Sequence, residues 1–181
     1  GIGQSGAIHA TALNATTTGG AITLGNAGNI FNTANLTTGG SDNATLYDAS
    51  ALTIAGANVG GTLAVSGGST IGQSGAIHAA SLSATTINGA ITLTNTGNTF
   101  ANASLNTSGS DNASLYDASA LNISGATVGG NLALSGGSTI RQSGAIHAAS
   151  LNVTTTNGAI TLTNTGNTFG PATLSTAGSD N

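Results

Sequence analysis

Charged residues are nearly absent from this 181-residue chain, which carries five carboxylates and one Lys or Arg, and whose net charge is −4. Charged side chains make up 3% of the sequence, against about 25% in an average soluble protein. Proteins that bind nucleic acids need clustered Lys and Arg to displace counterions from the phosphates, and Arg141 is the only such residue here. The composition therefore excludes a nucleic-acid-binding groove.

Cys, Met and Trp are missing altogether, and aromatic residues make up only 3% of the chain. Without Cys the chain has neither a disulfide framework nor a thiolate metal site. Any core must be built from Ile, Leu, Val and Ala. The mean hydropathy of +0.20, combined with the small net charge, excludes the highly charged, weakly hydrophobic class of disordered proteins, so we expect the chain to fold.

Long hydrophobic runs are also missing, since no stretch of 18 uninterrupted apolar residues occurs. We therefore expect no membrane-spanning segment. The N-terminus lacks the basic region and the apolar stretch of a signal peptide. The absence of any Met suggests either a processed chain or a window from a longer protein.

Self-similarity dominates what is present. The string Ile-Xaa-Gln-Ser-Gly-Ala-Ile-His-Ala begins at Ile2, Ile71 and Ile140, which are 69 residues apart. Ser-Asp-Asn recurs at the same spacing, so neither an insertion nor a deletion breaks the period. We interpret residues 1–181 as a single repetitive segment with units 2–70, 71–139 and 140–181, the last of which is partial.

Short apolar and polar alternations, separated by Gly-rich corners, predict strands rather than helices. Sub-units that begin near Ile71, Ile91 and Leu115 divide each repeat into three coils of about 23 residues. These features predict an all-β parallel β-solenoid of about eight coils, with three coils in each 69-residue repeat. At a strand spacing of about 4.8 Å, one repeat would advance roughly 14 Å along the rod.

Three strings resemble the repeat region of filamentous-haemagglutinin-type bacterial exoproteins. They are Gly-Ala-Ile-Thr-Leu-Thr-Asn-Thr-Gly-Asn-Thr-Phe at 89–100, the strand-rich segment 114–135, and Ile-Xaa-Gln-Ser-Gly-Ala-Ile at 140–146. The resemblance covers the whole chain. It implies a right-handed parallel β-helix, export by two-partner secretion, and a role as the shaft of a large adhesin at the bacterial cell surface or in the extracellular medium.

Three histidines, His9, His78 and His147, are the first candidates for catalysis or metal binding. Each follows an Ile that should point inward, so each histidine should point outward. With three coils per repeat the copies would be roughly 14 Å apart along the rod, whereas metal-ligand distances are about 2 Å. We therefore predict surface histidines that share no metal ion.

The carboxylates occupy two repeat positions and are more typical of turn capping than of catalysis or calcium binding. A Ser74, His78 and Asp111 triad can be assembled on paper, but serine is abundant and no Gly-Xaa-Ser-Xaa-Gly elbow is present. We therefore predict no catalytic, cofactor-binding or metal-binding residue, and no enzymatic activity. The carboxylates are Asp42, Asp48, Asp111, Asp117 and Asp180.

The aromatic residues and the threonine runs recur at the same period and raise further alternatives. A packing role is the simpler interpretation of the aromatic positions, although aromatic stripes bind carbohydrate on some solenoids. Sequons such as Asn43-Ala-Thr45 are weak evidence of glycosylation in so Asn-rich a chain. The aromatic residues are Phe31, Phe100, Phe169, Tyr47 and Tyr116, and the threonine runs lie at 16–18, 85–86 and 154–156.

The leading functional hypothesis is a non-catalytic shaft of a secreted bacterial adhesin or extracellular fibre. Its partners would be host or bacterial surface glycans or proteins, or further copies of itself in a fibre. A solenoid that binds ice or crystal surfaces is one alternative, although the threonine runs align only once in each repeat. A β-helix that binds or cleaves polysaccharide is the other, although cleavage normally needs more charged groups.

Overall fold

The computed structural model describes residues 1–177, so Ser179 and Asp180 of the third Ser-Asp-Asn string lie outside the described residues. The described chain is all-β, and its strands pair in parallel from one coil to the next. Over these residues no helix has the length and apolarity needed to cross a membrane.

Within residues 1–177 the strands vary from two to sixteen residues and join one continuous sheet that winds around the rod. The two longest, β5 and β11, bend from one side of the coil to the next and so connect these sides. The strands are β1 (His9–Thr16), β2 (Ile22–Leu24), β3 (Ile30–Thr37), β4 (Ala44–Asp48), β5 (Leu52–Gly67), β6 (Ile71–Gln73), β7 (Ile77–Thr86), β8 (Ile91–Leu93), β9 (Thr99–Asn106), β10 (Ala113–Asp117), β11 (Leu121–Gly136), β12 (Ile140–Gln142), β13 (Ile146–Thr155), β14 (Ile160–Thr161), β15 (Thr168–Phe169) and β16 (Ala172–Thr176).

Parallel pairing stacks equivalent positions of successive coils into columns that run along the rod. The result is a parallel β-solenoid of about eight turns, as the sequence predicts. One inward-facing column shows the stacking clearly. It contains Ile22, Ala44, Leu63, Leu82, Ala103, Ile123 and Gln142.

The coils are shorter than the spacing of the sub-units predicts. Six steps lead along this column from Ile22 to Gln142, which gives an average coil of about 20 residues. A 69-residue repeat therefore spans about three and a half coils, and the prediction of three coils per repeat was wrong. The error arose because we expected the repeat boundary to coincide with a coil boundary, which parallel stacking does not require.

Copies of one residue consequently lie on different sides of the rod. Ile91 is the copy of Ile22, yet it belongs to a second column, where it stacks between Ile71 and Ala113. Within its own coil Ile91 lies nine positions after Leu82, which is in the column of Ile22. A copy is therefore about half a coil further round the rod and, at about 4.8 Å per coil, roughly 17 Å further along it.

The interior is a narrow aliphatic column, as expected from the scarcity of aromatic residues. Strands such as β4 and β10 alternate buried and outward positions, which is the burial pattern of a sheet with one face in the core. The first two repeats differ at only one pair of buried positions, Val65 and Leu134. Their other differences fall on residues that are at least partly exposed, because a side chain that faces water has no neighbours to fit.

Corners bring the backbones of adjacent coils into close contact. A Cβ atom added to Gly60 would collide with the carbonyl oxygen of Gly40 in the coil below. Gly89 has a φ of 143°, and a Cβ there would lie 2.6 Å from the backbone nitrogen of Thr70. Glycine is therefore required at both positions, for close approach at the first and additionally for backbone conformation at the second.

Candidate functional site

The three histidines are exposed, as predicted, but they lie on separate coils and have different partners. The Nδ1 atoms of His78 and His147 lie 2.8 Å and 2.5 Å from threonine hydroxyls of the next coil. His9 has Ile30 above it instead, and its Nε2 lies 3.0 Å from the carbonyl oxygen of Gly28. Within the described residues no three His, Cys, Asp or Glu side chains are grouped so that they could hold a metal ion.

Asp42 and Asp111 cap corners of the preceding coil. The Oδ2 atom of Asp42 accepts a hydrogen bond from the backbone N–H of Gly20 at 2.5 Å, and Asp111 accepts one from Gly89 at 2.7 Å. Both glycines have positive φ angles, 94° and 143°. These carboxylates thus satisfy amide groups at turns that no strand partner reaches. Asp180, the third copy, lies outside the described residues.

Asp48 and Asp117 are fully buried and have a different role. The Oδ2 atom of Asp117 accepts a hydrogen bond from the N–H of Phe100, and its Oδ1 accepts hydrogen bonds from the N–H and the hydroxyl of Ser119, all within 2.6–2.7 Å. Asp48 makes the same three bonds at 2.6–2.8 Å. Turn capping is therefore the observed role of both carboxylate positions.

The hypothetical triad of Ser74, His78 and Asp111 is not assembled in the structure. The Asp111 carboxylate is bonded to the amide of Gly89, and the His78 ring to the hydroxyl of Thr99. No hydrogen bond joins the three residues to one another within residues 1–177. The arrangement therefore provides neither a nucleophile next to a base nor a base oriented by a carboxylate.

Paired side-chain amides close one corner in each repeat, a feature that the sequence alone did not reveal. Gln73 donates from Nε2 to Oδ1 of Asn98, and Asn98 donates from Nδ2 to Oε1 of Gln73, both at 2.8 Å. Asn98 is buried and also accepts the N–H of Ile77. The copies Gln4–Asn29 and Gln142–Asn167 do the same. The signal was a Gln and an Asn that recur at a constant separation of 25 in every repeat.

The repeat found in the sequence corresponds to a known family of repeats. A family model described as "Repeats of unknown function (DUF5649)" matches residues 41–107 and 110–176. This chain belongs to that family. The starts of the two matches are one repeat apart, and together the matches cover about three quarters of the chain. No curated protein and no solved structure matches it.

Each DUF5649 repeat uses its aromatic residues in two ways. Phe31 and Phe100 are 0% and 1% exposed and fill the interior, which confirms the packing role predicted for them. Phe169 is partly buried in the last described coil. Tyr47 and Tyr116 instead point outward and are half-buried, and neither phenol makes a hydrogen bond within residues 1–177.

The threonine runs of the repeats also serve the fold. Thr17, Thr86 and Thr155 are buried, and their hydroxyls donate to the carbonyl oxygens of the glycines three residues later, at 2.5–2.8 Å. One threonine of each run is thereby removed from the surface. The runs consequently present fewer outward hydroxyl groups than their sequence suggests.

Two uncharged sheet faces surround the tyrosines. Each face comprises two outward positions on three stacked strands, and the two faces are copies of one another, half a coil apart round the rod. Hydroxyl groups and one tyrosine ring dominate both surfaces. The first face contains Thr45, Tyr47, Ala64, Ser66, Ser83 and Thr85, and the second contains Ser114, Tyr116, Ala133, Ser135, Asn152 and Thr154.

An open groove of about 820 Å³ lies beside the last described coil, lined in part by Thr127, His147, Thr168 and Phe169. In earlier repeats the copies of Phe169 are covered by the next coil of the solenoid. Thr127, His147 and Thr168 are stacked partners on three successive coils, so the groove runs along the side of the rod, and its geometry gives no separate indication of a ligand.

Proposed function

We propose that this DUF5649 segment is part of the structural shaft of a secreted bacterial adhesin or extracellular fibre, located at the cell surface or outside the cell. The observation that supports this proposal is the use made of the reactive side chains. All four described carboxylates bond to backbone amides at corners, and the histidines lie on separate coils. The described carboxylates therefore serve to hold the corners of the coils together, which suits a non-catalytic spacer.

The uninterrupted stacking also supports a shaft. Every coil contributes the same aliphatic column, so additional repeats would lengthen the rod without changing its packing. In a shaft, adhesion to host or bacterial surface glycans or proteins would reside elsewhere in the parent protein or arise from the side faces. Self-association into fibres would use the same surfaces.

Antibodies raised against the purified 181-residue chain test this proposal on intact cells that produce the parent protein. We expect labelling of unpermeabilised cells and of extended filaments around them in electron micrographs. Labelling that appears only after permeabilisation would contradict the proposal, as would rod-free micrographs of the purified chain.

Polysaccharide binding without cleavage is a second candidate, favoured by the half-buried Tyr47 and Tyr116. Aromatic rings pack well against the apolar faces of sugar rings, and the surrounding side chains are hydroxyl-rich and uncharged. A neutral glucan is the ligand class that suits such a surface. The two faces would make the rod bivalent.

Tyrosine fluorescence provides a direct assay, because the chain has two Tyr and no Trp. A soluble linear glucan should change the emission of the native chain and should bind the Tyr47→Phe/Tyr116→Phe variant, as followed by calorimetry. The Tyr47→Ala/Tyr116→Ala variant should lose binding. Equal calorimetric binding by both variants, or none by the native chain, would exclude this candidate.

A further inference from the structure

An Asn-Gly pair lies at an exposed corner of the second repeat. Asn88 is exposed, and its side chain makes no hydrogen bond within the described residues. The third repeat has the same pair at Asn157-Gly158, whereas the first repeat has Gly19-Gly20 at this corner. The corner is thus occupied by a chemically labile dipeptide in two copies and by an inert one in the other.

The fold fixes the glycine of this pair. Gly89 has a φ of 143°, and a Cβ atom there would lie 2.6 Å from the nitrogen of Thr70, so no other residue fits without movement of the backbone. An Asn at position 88 is therefore always followed by the residue that hinders its side chain least. Attack by the next backbone nitrogen on an Asn side chain is fastest when that next residue has no Cβ.

Asp111 restrains the attacking nitrogen. The N–H of Gly89 donates to Oδ2 of Asp111 at 2.7 Å, a charge-assisted hydrogen bond that comes from the neighbouring coil. To react, the Gly89 nitrogen must lose this proton and turn towards Cγ of Asn88. The hydrogen bond to the carboxylate keeps the proton on the Gly89 nitrogen. It also keeps this peptide group in an orientation from which the nitrogen cannot attack Cγ of Asn88.

We propose that Asn88-Gly89 is a site of spontaneous deamidation and that the carboxylate of Asp111 slows this reaction. The Gly89 nitrogen forms a bond to Cγ of Asn88, the Cγ–Nδ2 bond breaks, and ammonia leaves with the proton from Gly89. Water then opens the resulting succinimide and leaves aspartate or isoaspartate at position 88. No oxidant, reductant or other cofactor is needed.

The modification would change the rod locally. It adds a negative charge to a chain whose net charge is only −4, and places that charge one residue from the amide that Asp111 caps. Isoaspartate also inserts an extra backbone atom at a corner that packs against Thr70. Loosening of the corner between two coils is the expected structural result.

Incubation of the purified full chain at mildly alkaline pH tests the proposal. Isoaspartate can be detected by enzymatic methyl transfer from an isoaspartyl methyltransferase and located by fragmentation mass spectrometry. Trypsin simplifies the assay, because the chain has a single Lys or Arg, and cleavage after Arg141 separates Asn88 from Asn157. Asn88→Gln should lose the signal from the fragment 1–141 at this position.

The Asp111→Ala variant should deamidate at Asn88 about tenfold faster than the native chain, in line with the loss of one hydrogen bond to a charged group. Asp42→Ala is the matched control, because it removes the same cap from Gly20, which follows Gly19 instead of Asn, and it should leave the rate at Asn88 unchanged.

A rate in Asp111→Ala equal to or below that of the native chain would overturn the proposal. So would equal acceleration by Asp42→Ala, which would point to general loosening of the rod. The urea-unfolded chain supplies the unrestrained rate, and the proposal also fails if the folded native chain reaches it.

Discussion

Short carboxylates bind backbone amides at the corners of this solenoid, where parallel strands end and their hydrogen-bonding groups lose their partners. Asp42 and Asp111 reach across to a neighbouring coil from half-buried positions, whereas Asp48 and Asp117 are buried and each accept three hydrogen bonds. An unpaired buried amide costs about 1–3 kcal/mol. The four described carboxylates are thus explained by the geometry of the corners.

Replacement of Asp117 by Ala should destabilise the rod by about 3 kcal/mol, because the substitution leaves the N–H groups of Phe100 and Ser119 without their acceptor and each unsatisfied buried group contributes about 1–3 kcal/mol. The midpoint of urea unfolding, followed by circular dichroism, measures the effect. The Asp117→Asn variant retains one acceptor oxygen, so its loss of stability should be about half that of Asp117→Ala.

The same pair of substitutions at Asp48 provides the control for position, since Asp48 makes the same three bonds one repeat earlier. Equal losses at the two sites are expected. If Asp117→Ala and Asp117→Asn unfold at the urea midpoint of the native chain, the carboxylate is not what holds this corner.

At the scale of strands and coils, local features were predictable and the coil length was not. Alternating apolar positions correctly indicated strands rather than helices, and the step from Ile71 to Ile91 matches a real coil. The next coil, however, begins at Ala113 and the one after it at Leu132, inside the long strand β11. Gly129 and Gly130 lie just before Leu132, but the strand continues through them, so this glycine pair does not mark the end of a strand as a Gly-rich corner was expected to.

The roles of the side chains were likewise predictable from the sequence only in part. Outward histidines and turn-capping carboxylates follow from alternation and residue chemistry, so the sequence was sufficient to predict them. The Gln73–Asn98 pairing depends on which corners lie one above the other. It could therefore be recognised only once the true coil length was known, as could the bond from Asp111 to Gly89.

Disulfide trapping tests the coil length directly. Ala64 and Ser83 are stacked partners on adjacent coils, at a strand spacing of about 4.8 Å that lies within the Cα range of disulfides. We expect the Ala64→Cys/Ser83→Cys variant to form an intramolecular disulfide on mild oxidation, since the chain has no other Cys, and to gain up to about 3 kcal/mol of stability.

Ala64→Cys/Ile87→Cys is the matched control, because position 87 is the partner that the longer predicted coil would give and Ile87 is 62% exposed. This pair should remain reduced under the same conditions, as judged by thiol titration and non-reducing electrophoresis. Preferential crosslinking of positions 64 and 87 would mean that the strands pair in the longer register.

For the molecule as a whole, the mismatch between repeat and coil determines how the surface is displayed. Because one repeat makes about three and a half coils, successive copies of a surface feature alternate between two sides of the rod. Two copies on nearly the same side, such as His9 and His147, are seven coils or about 34 Å apart. A shaft built in this way shows its repeated features on two opposite sides, although each repeat has only one set.

Removal of a complete repeat should preserve the fold while shortening the rod by a non-integral number of coils. Deletion of residues 71–139 joins Thr70 to Ile140, which occupies the position of Ile71 in the repeat, so every junction residue meets an equivalent neighbour. Solution scattering should show an unchanged cross-section and a length reduced by roughly 17 Å, that is, three and a half coils at about 4.8 Å each. Stability should fall, since fewer coil interfaces contribute to it.

Deletion of residues 71–116, which amounts to two coils of the longer predicted length, is the contrasting variant and should disrupt stacking, because it joins segments from different columns. A folded product from the shorter deletion, or a whole-repeat deletion that fails to fold, would show that register between copies does not govern the assembly of the rod.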